Sequence, residues 1–168
     1  MSDQLAAIGP ARIDQAEEIA GLLAPYVKQG IVLPRPPSDV RDHIAGFLVA
    51  TIRERVVGAV AVRDFGRGLQ EVRSLVVHPD VAGGGLGSRL VTAAVDLAQE
   101  RGATRVFALT MRPRLFERLH FVQVDKSMFP QKVWSDCIKC PKRFCCDEVA
   151  VVLDLARVHR RFGGIPSS

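Results

Sequence analysis

Aromatic residues are scarce in this sequence, at 6% with one tryptophan and one tyrosine, and cysteine is absent outside a single stretch from Cys137 to Cys146. No apolar run approaches the roughly 18 residues that a spanning helix needs. The opening MSDQLAAIGPARIDQ lacks the basic flank and apolar block of a secretory leader. The expectation is a soluble, cytoplasmic protein with no membrane partner. A disulfide framework is excluded because such frameworks spread cysteines through a short chain, whereas Cys137, Cys140, Cys145 and Cys146 sit together. Shortage of aromatics also counts against nucleic acid. The 23 basic residues outnumber 18 acidic ones, but they are scattered from Arg12 to Arg161 and form no stripe with aromatics between them. A net charge of +5 still favours small anions near the surface.

What is present suits one globular domain: 168 residues, 48% hydrophobic and 24% charged. Ile8 to Ile13 reads as a short extended start. Asp14 is placed to cap a helix over QAEEIAGLLAPYV, with Glu17 as reciprocal partner and Ile19, Leu22 and Leu23 as its apolar stripe. Pro34, Pro36 and Pro37 make a loop of KQGIVLPRPPSD, after which Ser38 or Asp39 is expected to cap a second short helix through His43. FLVATI, RERVVGAVAVRDF and LQEVRSLVVHP are rich in valine and isoleucine and predict an antiparallel meander. A glycine loop then feeds the helix SRLVTAAVDLAQERG, which stops at Gly102. Strand TRVFALT, helix RPRLFERL, strand HFVQVD and a last strand in CDEVAVVLDLARV complete an α+β order with a largely antiparallel sheet. Residues 1–156 are expected to form the domain, with a cysteine-bearing segment at 125–148, and 157–168 a frayed tail.

The segment AGGGLG between a strand and a helix is suited to hold an anion. Backbone N–H groups converge there at the positive end of a helix dipole, and glycines admit positive φ and close approach. A dinucleotide fingerprint is the wrong reading of it, since that motif follows the first strand of a parallel βαβ unit.

Leu75-Val76-Val77-His78-Pro79 followed by Ala82-Gly83-Gly84-Gly85-Leu86-Gly87-Ser88-Arg89-Leu90 resembles the acyl-CoA pyrophosphate loop of the GNAT superfamily of N-acetyltransferases. Leu115-Phe116-Glu117-Arg118-Leu119-His120-Phe121 resembles that family's penultimate helix and following strand, and the similarity extends to about Leu155. The resemblance implies a mixed, largely antiparallel central sheet with helices on both faces, and acetyl-CoA as co-substrate. It also implies that the amides from Gly83 to Ser88 hold the pyrophosphate, that the pantetheine arm pairs with Leu75, Val76 and Val77, and that Phe116 lies at the cofactor. Two positions depart from the family pattern. Ala82 stands where glutamine or arginine usually opens the loop, and Phe116 stands where many members carry tyrosine. The run from Asp125 to Pro141, with Cys146-Asp147-Glu148, resembles the C-terminal signature of short, stand-alone bacterial N-acetylglutamate synthases. Leu33-Pro34-Arg35 and Leu109-Thr110 fit as well. That narrower resemblance implies acetylation of the α-amino group of L-glutamate, the first step of arginine biosynthesis.

Acyl transfer from a thioester to an amine requires a base for the ammonium, a donor for the carbonyl oxygen and a stable leaving thiolate. Glu71 is the first candidate base and Glu148 the reserve. A backbone N–H near Val76 or Val77 is the expected carbonyl donor. The single tyrosine, Tyr26, lies far upstream, so Thr110 or Ser74 is the candidate hydroxyl for the sulfur. The carboxylates of glutamate need cations and hydrogen-bond donors, and Arg35, Arg73, Ser74 and Lys132, beside Trp134, are the candidates. Zinc at the C-x2-C-x4-C-C cluster is feasible but not favoured, because adjacent cysteines serve one tetrahedron poorly. Another amine, another amino acid, a protein N-terminus or a non-catalytic acyl-CoA module stays open, as does a homodimer.

Overall fold

The computed structural model describes residues 5–30, 32, 34–129 and 148–156. Among them are seven strands: β1 (Ala7–Pro10), β2 (Phe47–Ile52), β3 (Arg55–Asp64), β4 (Leu69–Val77), β5 (Arg105–Thr110), β6 (Val122–Val124) and β7 (Val149–Asp154). The helices are α1 (Ala16–Lys28), α2 (Pro37–Asp42), α3 (Leu86–Glu100) and α4 (Pro113–Glu117). The strands form one sheet in the order β1-β2-β3-β4-β5-β7-β6. The β1/β2, β2/β3, β5/β7 and β6/β7 pairs are antiparallel and β4/β5 is parallel, so the sheet is mixed and mostly antiparallel, as the sequence led us to expect. No helix among the described residues is long and apolar enough to cross a membrane. Two compact units divide the chain: Met1–Val62 with Arg73–Ala94, and Arg63–Val72 with Val95–Ser168.

In the first unit, strand alternation sorts the side chains onto two faces. Phe47 and Val49 of β2 and Ala59 and Ala61 of β3 pack with Ala16, Ile19 and Leu23 of α1 and Val40 of α2. On the opposite face, Ala50 and Gly58 are register partners beneath Leu90 of α3. A Cβ at Gly58 would lie 2.9 Å from Leu90 Cδ1 and 3.3 Å from the Val76 carbonyl oxygen, so the missing side chain is what lets α3 approach. The β2–β3 turn places Arg53 and Glu54 at φ 52° and 66°, the left-handed pair that suits the twist of a two-residue hairpin. The ladder shifts register between Ala50 and Thr51, and there Glu18 of α1 accepts the Val56 N–H at 3.1 Å.

Two expectations about helix starts need correction. Asp14 does not cap α1. The chain enters through a 3₁₀ turn at Ile13–Gln15, where Gln15 Oε1 accepts the Arg12 N–H at 2.8 Å and Asp14 takes Arg12 Nε at 3.0 Å. Arg12 has the extended backbone a cap needs, whereas Asp14 is already inside the turn, so Gln15 replaces Glu17 as the returning side chain. Glu17 lies instead 3.6 Å from Arg41. For α2, neither Ser38 nor Asp39 is the cap: the helix begins at Pro37, whose fixed φ suits the first helical position, and ends at Asp42.

In the second unit, Phe107 of β5 is fully buried, stacked 4.4 Å from Phe129 and tilted 5.7 Å from Phe65. Leu69, Ala150 and Val152 complete the cluster. Asp125 accepts the Ser127 N–H at 2.9 Å and caps the 3₁₀ turn Lys126–Met128 that delivers Phe129 to this stack. Hydrogen bonding from Ser127, its backbone first, holds the Asp125 carboxyl below the ordinary carboxylate range. Lys132, Trp134, the four cysteines and the tail 157–168, on which expectations were placed, lie outside the described residues.

Candidate active site

Strand β4 carries six of the sequence candidates: Glu71, Arg73, Ser74, Leu75, Val76 and Val77. Glu71 is its third residue and is only 8% exposed, in register with Phe107 of β5. It is therefore a desolvated carboxylate on the face that carries a phenyl ring, not a solvated strand end. Arg73 follows two positions later and is half-buried.

Ser74 then sits within the strand at φ +56°. A left-handed backbone costs a non-glycine residue about 1 kcal/mol or more. The hydroxyl is held from across the fold: Arg35 Nη1 donates to Ser74 Oγ at 3.2 Å over a separation of 39 residues. The Arg35 side chain is only 10% exposed; its Nε donates to Asp39 Oδ2 at 2.9 Å and its guanidinium lies 5.1 Å over the Phe47 ring. Two candidates far apart in sequence, Arg35 and Ser74, are thus brought together, and the guanidinium is held by its neighbours in one orientation.

The end of β4 holds a residue that pattern reading passed over. Tyr26 of α1 donates its hydroxyl to the Val77 carbonyl oxygen at 3.1 Å, across 51 residues. The signal available was modest: a tyrosine near the apolar stripe of an amphipathic helix needs a partner for its hydroxyl when packed inward. Next in the chain, His78 donates its N–H to the Val57 carbonyl at 2.8 Å. Its ring Nδ1 accepts the Asp80 N–H at 3.1 Å, which leaves the proton on Nε2. The Arg55 guanidinium 3.4 Å from Nε2 then faces another donor and makes a contact only, not a hydrogen bond.

Beyond His78, a 3₁₀ turn at Pro79–Val81 leads into the glycine loop. Gly83 and Gly85 have φ +88° and +84°, and a Cβ at either would meet nothing within 4 Å. These two glycines are required by backbone conformation, and the space around them is open. Gly85 accepts the Arg89 N–H at 3.1 Å and so begins the ladder of α3. Amides in the first turn, at Leu86, Gly87 and Ser88, have no partner four residues back, and no acidic side chain lies in that turn. Leu86 itself is buried and anchors the turn. Arg89 is committed elsewhere, donating to the Ala6 carbonyl at 2.8 Å. The loop is thus an exposed run of amides at a helix N-terminus, with chemistry suited to a phosphate.

Of the remaining candidates, Thr110, Phe116 and Glu148 belong to the second unit. Thr110 Oγ1 accepts the Arg112 N–H at 2.8 Å and closes the turn into α4, which leaves its proton as the part it can offer. Phe116 is buried and meets Phe121 edge-on at 5.1 Å. Glu148 is half-buried just before β7. Leu75 and Val77 on β4 are half-buried and Val76 is buried.

Against known proteins, the model of the acetyltransferase (GNAT) family matches residues 15–121. An uncharacterized N-acetyltransferase of Chlorobaculum tepidum is 37% identical over 145 residues, which is 86% of this chain and 94% of that one. An amino-acid acetyltransferase of Mycobacterium tuberculosis is 28% identical over 129 residues, 75% of this chain and 74% of the other. The N-acetylglutamate synthase from Neisseria gonorrhoeae, solved with coenzyme A and N-acetyl-glutamate, aligns with a TM-score of 0.81 at 25% identity. That alignment takes in 92% of this chain but 36% of the Neisseria chain, so the present sequence spans little more than a third of it.

Proposed function

The chain belongs to the GNAT family of acetyltransferases, and from that premise we propose that it acetylates the α-amino group of L-glutamate. As a family member it is an acyltransferase that uses acetyl-CoA as co-substrate; the identity of the acceptor is the inferred part. The likeness to an amino-acid acetyltransferase and to an N-acetylglutamate synthase supports an amino-acid acceptor. The observation that carries the reading is Arg35, a largely buried guanidinium tied to Ser74 of β4 and directed by Asp39 and Phe47. A carboxylate is the ligand such a fork recognises best. Arg73 and Lys132 are the candidates for the second carboxylate of glutamate.

In this reading the amides from Gly83 to Ser88 take the pyrophosphate, and Leu75, Val76 and Val77 receive the extended arm. The open space and positive φ of Gly83 and Gly85 support the first assignment. A trans peptide directs its C=O and N–H in opposite directions, and neighbouring strand residues alternate. Because the His78 N–H faces β3, the N–H of Val77 is directed away from it, which favours Val77 over Val76 as an amide that faces the arm. Glu71 removes the ammonium proton, directly or through a water, and the free amine attacks in a ternary complex. No acyl-enzyme is needed, since a positioned amine reacts with a thioester directly. Thr110 is the candidate to offer its remaining proton to the leaving sulfur.

Thiol release from acetyl-CoA by the purified protein, with L-glutamate, L-glutamine and other amines supplied separately, tests the proposal. Saturable release with glutamate well above the rest is expected; equal or absent release with glutamate would overturn the acceptor assignment. Glu71→Gln should lower turnover at least a hundredfold, the usual worth of a general base, with acetyl-CoA affinity nearly unchanged. A large loss of affinity would make Glu71 a structural residue.

A further inference from the structure

The peptide that joins β4 to the glycine loop is held at both ends. Its N–H, that of His78, donates to the Val57 carbonyl of β3 at 2.8 Å, and its C=O, that of Val77, accepts the Tyr26 hydroxyl at 3.1 Å. Because the two groups of a trans peptide are antiparallel, one bond fastens it to the sheet and the other fastens the edge directed away from β3. In an ordinary ladder a neighbouring strand would supply that second bond; here a side chain of α1 does so. Tyr26 can act with precision because its ring packs against the core of α1, β2 and β3. On one side of this peptide are Leu75, Val76 and Val77, and on the other the turn Pro79–Val81 and the glycines.

We propose that Tyr26 is a positioning residue for acyl transfer, and that it sets the peptide at which the grip on the arm of acetyl-CoA meets the grip on its phosphates. The inference rests on the co-substrate assignment made above, to which it adds a residue on α1. With the hydroxyl in place, one lone pair of the Val77 carbonyl is engaged and the peptide keeps one direction, so that the outward amide of β4 does too. Without it, the peptide loses its outer tether and the arm must itself fix that direction, while the loop amides beyond Pro79 keep their own geometry. Tyr26 therefore matters for ligands that span both grips and not for a ligand that reaches the loop alone.

Tyr26→Phe keeps the ring and removes only the hydroxyl. Calorimetric binding should show coenzyme A weakened about three- to tenfold, the range of a single hydrogen bond. The fragment 3′-phospho-ADP, which has the phosphates and lacks the arm, should bind as it does to the parent protein. In steady state the loss should fall on kcat/KM for acetyl-CoA, with the KM for the acceptor held. Equal weakening of both ligands, or of neither, overturns the proposal. As the chain has one tyrosine, 3-fluorotyrosine incorporated biosynthetically gives a single fluorine resonance in the otherwise unaltered sequence. That resonance should move on adding coenzyme A and stay on adding 3′-phospho-ADP; the same response to both would overturn the assignment independently of any variant. If the parent protein binds neither coenzyme A nor acetyl-CoA, it is the co-substrate assignment that fails.

Discussion

Ser74 sits at φ +56° inside a strand, where glycine would be the unstrained choice, and its hydroxyl is engaged by Arg35. The two features can be separated by substitution. Ser74→Gly removes the hydroxyl and relieves the backbone; Ser74→Ala removes the hydroxyl and keeps the left-handed penalty. The glycine variant should be the more stable by about 1 kcal/mol, read from urea unfolding, and an alanine variant of equal stability would contradict the strained backbone. Both variants should raise the acceptor KM alike if Oγ orients Arg35. The sequence shows the serine and the arginine but not their meeting, since a separation of 39 residues leaves no periodic trace. Glu71 is a similar case. Its place on a strand was legible from the valine-rich run, whereas its burial beside Phe107 depends on which strand lies next to β4.

At the scale of elements, α3 rests on β3 through the absent side chain of Gly58. Gly58→Ala would set a methyl 2.9 Å from Leu90 Cδ1 and 3.3 Å from the Val76 carbonyl. The expected loss is about 1–3 kcal/mol, the usual cost of overpacking a core, measured by chemical denaturation. Part of it should return in a Leu90→Ala background, because the two positions touch and their effects will not add; strict additivity would mean that the clash is relieved elsewhere. Most elements were readable from local chemistry: β-branched runs for β2, β3 and β4, apolar spacing for α3, and Gly102 at φ +88° for its end. The helix starts were misread because caps are chosen by backbone conformation. Arg12 is extended and Asp14 is not, and that difference follows from where β1 ends and α1 docks.

Over the whole molecule, a net charge of +5 should draw in a polyanionic co-substrate. Raising ionic strength from about 0.01 M to about 0.1 M shortens the screening length from roughly 30 to roughly 10 Å. The KM for acetyl-CoA should rise over that interval more than the KM for the acceptor, which carries less charge. A flat response would mean that the dispersed cations create no field at the loop. The sequence alone determined the α+β order, the glycine loop and the family, because each is written in contiguous residues whose chemistry acts over one or two turns. Tertiary structure decided the left-handed serine clasped by Arg35, the burial of Glu71 and the fastening of Val77 by Tyr26. Each of these depends on side chains 36 or more residues from their partners, and only the packing of α1 and α2 on the sheet, or of β5 beside β4, sets those distances.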